Sequence, residues 1–301
     1  MAIDVTSAPQ TFRQLKQLLA QVNRPQSGIR LGRRALEAFS RLIDEPDRTA
    51  VYSISELARL TGVNPSTLSR LAVSLGYPGF SAFQDVFRAH IATRRNFYSG
   101  RADLLVRQDR SGADVSAAAR VGEEEITNIL GMLEHLSTGE LEAAADILIK
   151  APRVSTCGLR QPAAIAAFAA YALGLLRADV SVLSLMQHGG AYELGQLARG
   201  DALLVFGFEP YTRATIATAR VAANLGITII AITDSHASPF LAIADHQFVA
   251  PTTGSFFSNS MAAAIVAIEG LLTVVARRMG DQALSALKRH EKLIEAFDIE
   301  L

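Results

Sequence analysis

The stretch Leu203–Gly226, LLVFGFEPYTRATIATARVAANLG, decides how the second half of this chain is read. It opens on an unbroken apolar run, which suits a strand buried on both faces better than one with a wet side. A short polar loop with a proline follows, and then a helical pattern that stops at Gly226. Strand, loop and helix in that order are the unit of an open α/β sheet, whose ligands sit beyond the carboxyl ends of the strands. The loop GFEPYTR, Gly207–Arg213, therefore reads as an active site, a sensor pocket or a plain turn.

Working outward, similar short runs recur: RVSTCG from Arg153, VSVLSL from Val180, ITIIAIT from Ile227 and HQFVAP from His246. They alternate with helical stretches, which predicts a parallel five-stranded sheet flanked by helices. The front of the chain is different. From Thr11 to about Ala92, apolar residues recur every three or four positions with no convincing strand. The fold class expected is α + α/β: an all-helical N-terminal domain over 11–92, a linker and connecting helix over 93–137, and an α/β domain over 138–285. Residues 1–10 read as disordered. The linker rests on the Arg-, Asp-, Ser- and Gly-rich stretch from Thr93 to about Asp114, with a helix from about Val115 to Leu136.

Composition narrows the classes. Half of the 301 residues are hydrophobic and 19% are charged, enough to bury two cores. The apolar run Pro162–Leu176 is shorter than the ~18–20 residues of a membrane span, and Met261–Ala276 carries Glu269. Both read as buried helices, so no membrane partner is expected. No basic-then-apolar leader is present, which points to the cytoplasm. Cys157 is the only cysteine, which excludes an internal disulfide and a multi-cysteine zinc site; no metal or cofactor is expected. Charge is uneven. Residues 1–110 hold 16 Arg+Lys against 9 Asp+Glu, or +7, and the remainder holds 13 against 20, or −7. A basic front suits a polyanion, although Arg-rich helices are also ordinary solvated faces.

Within that front lies SISELARLTGVNPSTLSRLAVSLGYPGF, Ser53–Phe80. Ser53 or Ser55 caps a short helix, Gly62 turns the chain, and Asn64 followed by Pro65 starts a second helix. Ala58 is small where the helices cross, and Leu68 is apolar where the second packs back. That spacing is a helix-turn-helix, whose second helix enters the major groove of double-stranded DNA. The candidate DNA-binding residues are Asn64, Ser66, Thr67, Ser69 and Arg70, because hydroxyls reach bases or phosphates and Arg bridges guanine O6 and N7. A capped helical hairpin with no DNA role is the competing reading.

These residues resemble the N-terminal domain of the RpiR family of bacterial transcriptional regulators. Ser53, Ile54, Glu56, Leu57, Ala58, Gly62, Val63, Thr67, Arg70, Leu75, Gly76, Tyr77, Gly79 and Phe80 sit on its pattern. The resemblance continues in LGITIIAITDSHASPFLAIADHQFVAP, through Gly226, Thr233, Asp234, Ser235, Ser238, Pro239, Ala244 and Asp245. It implies a C-terminal sugar isomerase (SIS) domain that senses a small effector, a phosphorylated or acidic sugar derivative. It also implies a homodimer or tetramer on a near-palindromic operator. Where the family often has basic residues after the Arg, this chain has Val73 and Ser74, leaving Arg59, Arg88, Arg94 and Arg95 as candidate phosphate contacts.

The resemblance also shows a departure. SIS domains that bind phosphosugars commonly carry S-x-S-G-x-T after this strand, where hydroxyls and a helix N-terminus hold the phosphate. Here the positions read Gly207, Phe208, Glu209, Pro210, Tyr211 and Thr212, with Arg213 beside them; Pro210 has no N–H and Glu209 repels an anion. The first strand's loop, CGLRQP, places Arg160 where a phosphate-binding serine is usual. Two readings follow: Arg160 supplies the charge as a fork, or it pairs with Glu209. The candidate effector residues are Arg160, Glu209, Tyr211, Thr212, Arg213, Thr233, Ser235, Ser238, Ser258 and His188. Each serine also suits a cap or turn, and a lone histidine a structural role. Glu209, His188 and Glu269 are the acid–base candidates by type, and no catalytic residue is assigned. A sugar-phosphate isomerase with a vestigial helical extension, and a constitutive DNA-binding dimer without an effector, are the competing functions.

Overall fold

The computed structural model describes residues 8–22, 31–107 and 114–298, and the chain divides into two compact units, Met1–Leu104 and Leu105–Leu301. Most of the segment read as disordered, residues 1–7, lies outside the described residues. Pro9 is held, its carbonyl accepting from the Tyr77 hydroxyl.

The first unit is helical: α1 (Phe12–Val22), α2 (Arg33–Asp44), α3 (Pro46–Val51), α4 (Ile54–Thr61), α5 (Pro65–Ser74), α6 (Phe80–Arg95) and α7 (Phe97–Arg107), the last running across the division. Its core is aromatic. Phe83 packs against Phe39, Tyr77, Phe80 and Phe87 at centroid distances of 5.0–6.2 Å, since residues three and four apart share a helix face. Leu15, Leu42, Leu57, Leu68 and Leu71 complete it. The polar stretch read as a linker carries α7, so a lack of apolar periodicity there did not mean a lack of helix. Arg88 is committed to the fold. Its guanidinium donates to the Ala50 carbonyl (3.1 Å), Gln84 Oε1 (2.8 Å) and Asp85 Oδ1 (2.8 Å). The side chains of Arg94 and Arg95 lie outside the described residues.

The second unit begins with α8 (Asp114–Leu133) and α9 (Thr138–Lys150). It then alternates β1 (Val154–Cys157), α10 (Pro162–Leu176), β2 (Val180–Val182), α11 (Gly190–Gly195), β3 (Ala202–Gly207), α12 (Arg213–Asn224), β4 (Thr228–Thr233), a 3-10 turn (Pro239–Ala242) and β5 (His246–Val249), and ends on α13 (Ala262–Met279) and α14 (Asp281–Ala296). The strands form one parallel five-stranded sheet in the order β2-β1-β3-β4-β5. Period-two alternation divides β3 between two cores. Leu204 and Phe206 join Val154, Ile230, Ile232 and the buried faces of α9, α10 and α13. Leu203 and Val205 join Cys157, Ile229, Ala231 and α12. Both faces are covered, which is why every residue of β3 is buried and its sequence is apolar throughout. Asp245 accepts from the Ile229 N–H at 2.8 Å and fixes the start of β4. The sheet order reverses direction at β1 and β3, so the crevice lies among the loops at their carboxyl ends. Among the described residues no helix is long and apolar enough to cross a membrane.

Candidate functional site

In the helical unit, α4 and α5 form the expected helix-turn-helix. Ser53 and Glu56 make a reciprocal capping box: the Ser53 hydroxyl accepts from the Glu56 N–H at 3.3 Å, and the Glu56 carboxylate accepts from the Ser53 N–H at 2.8 Å. The Ser53 hydroxyl, then its N–H, hold the Glu56 carboxyl below the usual range. Gly62 takes φ +72°, a left-handed turn that a Cβ would strain. Pro65 then starts α5, with Asn64 at the cap position making no side-chain cap bond. Leu68, Leu71 and Ala72 are buried, as is Ala58 at the crossing. Asn64, Ser66 and Arg70 are exposed on the other face, with Thr67 and Ser69 half-buried beside them. The Arg70 guanidinium lies back along α5, its Nε 3.3 Å from the Ser66 carbonyl.

In the sheet unit, three loops meet at the carboxyl ends of β1, β3 and β4. Arg160, just after β1, has φ +64° and places Nη1 3.5 Å from the Pro210 carbonyl. Asp234 organises the loop after β3: it accepts from the Tyr211 hydroxyl at 2.7 Å and from the Glu209 N–H at 3.3 Å. Burial first, and then the Asp234 charge, push the Tyr211 phenol well above its ordinary value, so it is a neutral donor. Thr233 is fully buried, its hydroxyl 2.7 Å from both the Gly207 carbonyl and the Ser238 hydroxyl. Ser238 caps the 3-10 turn by accepting from the Phe240 N–H, and Ser235 accepts from the Ala237 N–H. Thr212 stands at the cap position of α12 without a side-chain cap bond, and Arg213 is the first helical residue.

The stretch before α13 closes the group. Ser258 donates to Gln161 Oε1 at 2.9 Å, the Gln161 amide donates to the Asn259 carbonyl at 2.9 Å, and the Asn259 amide donates to the Glu209 carbonyl at 2.8 Å. Arg160, Glu209, Tyr211, Thr233, Ser238 and Ser258 are thus bonded directly or through one neighbour. His188 instead pairs with Glu193 of its own segment, Nδ1 to Oε1 at 2.7 Å, against the Tyr192 ring. Sequence reasoning missed Gln161, Asp234 and Asn259 as parts of the site. Asp234 carried a signal, following directly on Thr233 at the end of β4. Gln161 and Asn259 carried none, because each is defined by a partner about a hundred positions away in sequence.

Similarity to known proteins adds to this geometry. A family model for the SIS domain matches residues 147–274, which spans β1 to β5 and most of α13. A curated HTH-type transcriptional regulator of Haemophilus influenzae is 25% identical over 209 residues, covering 69% of this chain and 71% of its own. The Vibrio vulnificus NanR protein, solved with ManNAc-6P, matches 94% of this chain and 98% of its own at a TM-score of 0.56; at 15% identity that likeness speaks for the fold alone. The sugar isomerase domain of an RpiR transcription factor from Sphaerobacter thermophilus is 30% identical, with a TM-score of 0.55, covering 58% of this chain and 98% of that one. A helix-turn-helix ahead of a SIS sheet, and this identity across nearly the whole of a named member's domain, lead to one statement: the chain belongs to the RpiR family of transcriptional regulators.

Proposed function

We propose that this regulator reads double-stranded DNA with α5 and that a small, anionic carbohydrate derivative, a sugar phosphate or sugar acid, binds the loops around Arg160 and Tyr211 and changes DNA affinity. One observation carries the reading. Asn64 at the cap of α5, with Ser66 and Arg70 on the helix, is exposed while the opposite face of the helix is buried, which is the presentation a recognition helix needs. The DNA-reading part is residues 11–92 and the effector-binding and dimerising part 138–285, joined by 93–137. In a homodimer, or a pair of dimers, two readers face the half-sites of a near-palindromic operator in the cytoplasm. Effector coupling of this kind is typically ~1–3 kcal/mol.

The anion preference is supported by Arg160 beside the loop and by α12, whose first turn holds no acidic residue and whose Thr212 makes no side-chain cap bond. Asn64, Ser66, Thr67, Ser69 and Arg70 are proposed to face DNA. Arg160, Glu209, Tyr211, Thr212, Arg213, Thr233, Ser235, Ser238 and Ser258 are proposed to line or shape the pocket, with Thr233, Ser235 and Ser238 shaping it from behind. His188, tied to Glu193, is proposed to order the segment after β2. The reading assigns no catalysis: Glu269, an acid–base candidate by type, is exposed on α13.

Two variants test the division. Arg70→Ala is expected to abolish operator-specific binding and leave effector binding intact. Arg160→Ala is expected to remove the effector response and leave operator binding intact. Equal loss of both functions in either variant contradicts the assignment.

A further inference from the structure

The helix α8 is the first element of the sheet unit, and one face of it is fastened to the stretch before α13. Glu124 Oε2 accepts from the Ser255 N–H at 2.7 Å and from the Ser255 hydroxyl at 2.9 Å. Glu125 accepts a hydrogen bond from the Ser260 hydroxyl. Asn128, itself 4% exposed, donates to the Thr253 carbonyl at 2.6 Å. Positions 124, 125 and 128 share one helix face, and Ile129 and Met132 continue it into the core under the sheet. The other face, with Ile126, Leu130 and Leu133, is exposed.

Two features show that the stretch is shaped for these carboxylates. Gly254 lets the Glu124 carboxylate lie against the backbone; a Cβ there would stand 3.2 Å from Oε2. Ser260 lies just ahead of Met261, the cap position of α13, and that helix has no acidic residue in its own first turn, so Glu125 brings a negative charge to the side of a helix N-terminus that favours one. Between the anchored residues 255 and 260 lie Ser258 and Asn259, whose bonds to Gln161 and the Glu209 carbonyl tie this stretch to the loops after β1 and β3. Two or three hydrogen bonds therefore connect α8 with Arg160's neighbour and with the loop of Tyr211.

We propose that α8 is a strap on the effector loop: Glu124, Glu125 and Asn128 are positioning residues that hold 253–260 so that Ser258 and Asn259 complete the pocket, and the seating of α8 and the arrangement of the pocket are one equilibrium. Given the effector-sensing reading, on which this rests, an effector that rearranges 258–259 loosens or tightens α8. The change then reaches the DNA reader along the covalent chain, because α8 is the next helix of the sheet unit after α7. Coupling needs a two-state element biased from both ends, and a helix held by three side chains on one loop is such an element.

The test uses the full-length protein and begins without any ligand. Hydrogen exchange followed by mass spectrometry is measured in the wild type, in Glu124→Ala and in the double variant Ser255→Ala, Ser260→Ala. Exchange is expected to speed up by about tenfold, the weight of a charge-assisted hydrogen bond. It should do so in 253–260 when α8 is altered and in α8 when the loop is altered. Unchanged exchange in the untouched partner overturns the strap, and Glu124→Gln, which keeps the shape, serves if the alanine variant does not fold. A second arm titrates promoter DNA with and without ManNAc-6P. A wild type that responds and a Glu124→Ala protein that responds equally overturn the coupling and leave the regulator reading intact. A wild type that binds no promoter DNA overturns that reading, while the exchange result still decides the strap.

Discussion

The Tyr211 hydroxyl donates to Asp234 Oδ1 at 2.7 Å and joins the loop after β3 to the end of β4. Removing it with Tyr211→Phe leaves Asp234 with the longer contacts of the Glu209 N–H and the Thr233 hydroxyl, and is expected to cost about 2 kcal/mol, as for a hydrogen bond to a charged group. Urea unfolding measures this, and a loss well under 0.5 kcal/mol would contradict the bond's role. Because burial and the Asp234 charge raise the phenol in the folded chain, folding holds that proton more tightly than the unfolded chain does. The contribution is fully present below about pH 10, the ordinary tyrosine value, and is lost as pH rises above it. Tyr211→Phe should therefore remove none of the phenolate absorbance that the native protein develops by about pH 11.

Gly207 ends β3 under the ring of Phe240. A Cβ there would stand 2.1 Å from Cε2 and 2.6 Å from Cζ of a fully packed phenylalanine. Gly207→Ala must push that ring and the 3-10 turn aside, and is expected to cost about 3 kcal/mol by overpacking. An unfolding midpoint equal to that of the wild type would show that the turn yields freely.

Cys157 is buried at the end of β1, and burial pushes its thiol up to about 12. A thiol that is neither ionised nor exposed does not attack disulfides. The native protein is expected to give no reaction with a disulfide reagent at pH 8 and full reaction in denaturant. Native labelling within minutes would place Cys157 at the surface.

Ser53→Ala deletes half of the capping box that starts α4. The expected loss is about 1 kcal/mol in the helical unit, read by thermal unfolding, with weaker DNA binding as α4 frays. An unchanged melting temperature would mean that packing of Leu57 and Ala58 alone fixes the helix start.

What could be read in the sequence was what is local. Ser53 with Glu56, Gly62, and Asn64 before Pro65 each act within four residues, so the helix-turn-helix was legible; so was β3, because a strand buried on both faces needs an apolar run. Non-local polar contacts were not. Ser255 and Glu124 are 131 positions apart, and Gln161 and Asn259 are 98 apart, so neither pairing leaves a pattern along the chain. The helix α7 was hidden because its residues lack an apolar stripe. Arg88 carries a second role that its charge did not announce: its guanidinium bonds Ala50, Gln84 and Asp85 within the helical unit.

The central claim is that a DNA reader answers to a metabolite on the SIS loops. The most direct measurement is fluorescence anisotropy of labelled DNA from upstream of the protein's own gene, titrated with full-length protein in excess nonspecific DNA. It is repeated with ManNAc-6P and with other sugar phosphates and sugar acids. The account predicts binding that survives the competitor, weakens with salt, and shifts about 5- to 150-fold with one of the compounds. Binding that vanishes under competitor, together with turnover of a sugar phosphate by the same sample, would contradict it and identify an isomerase instead.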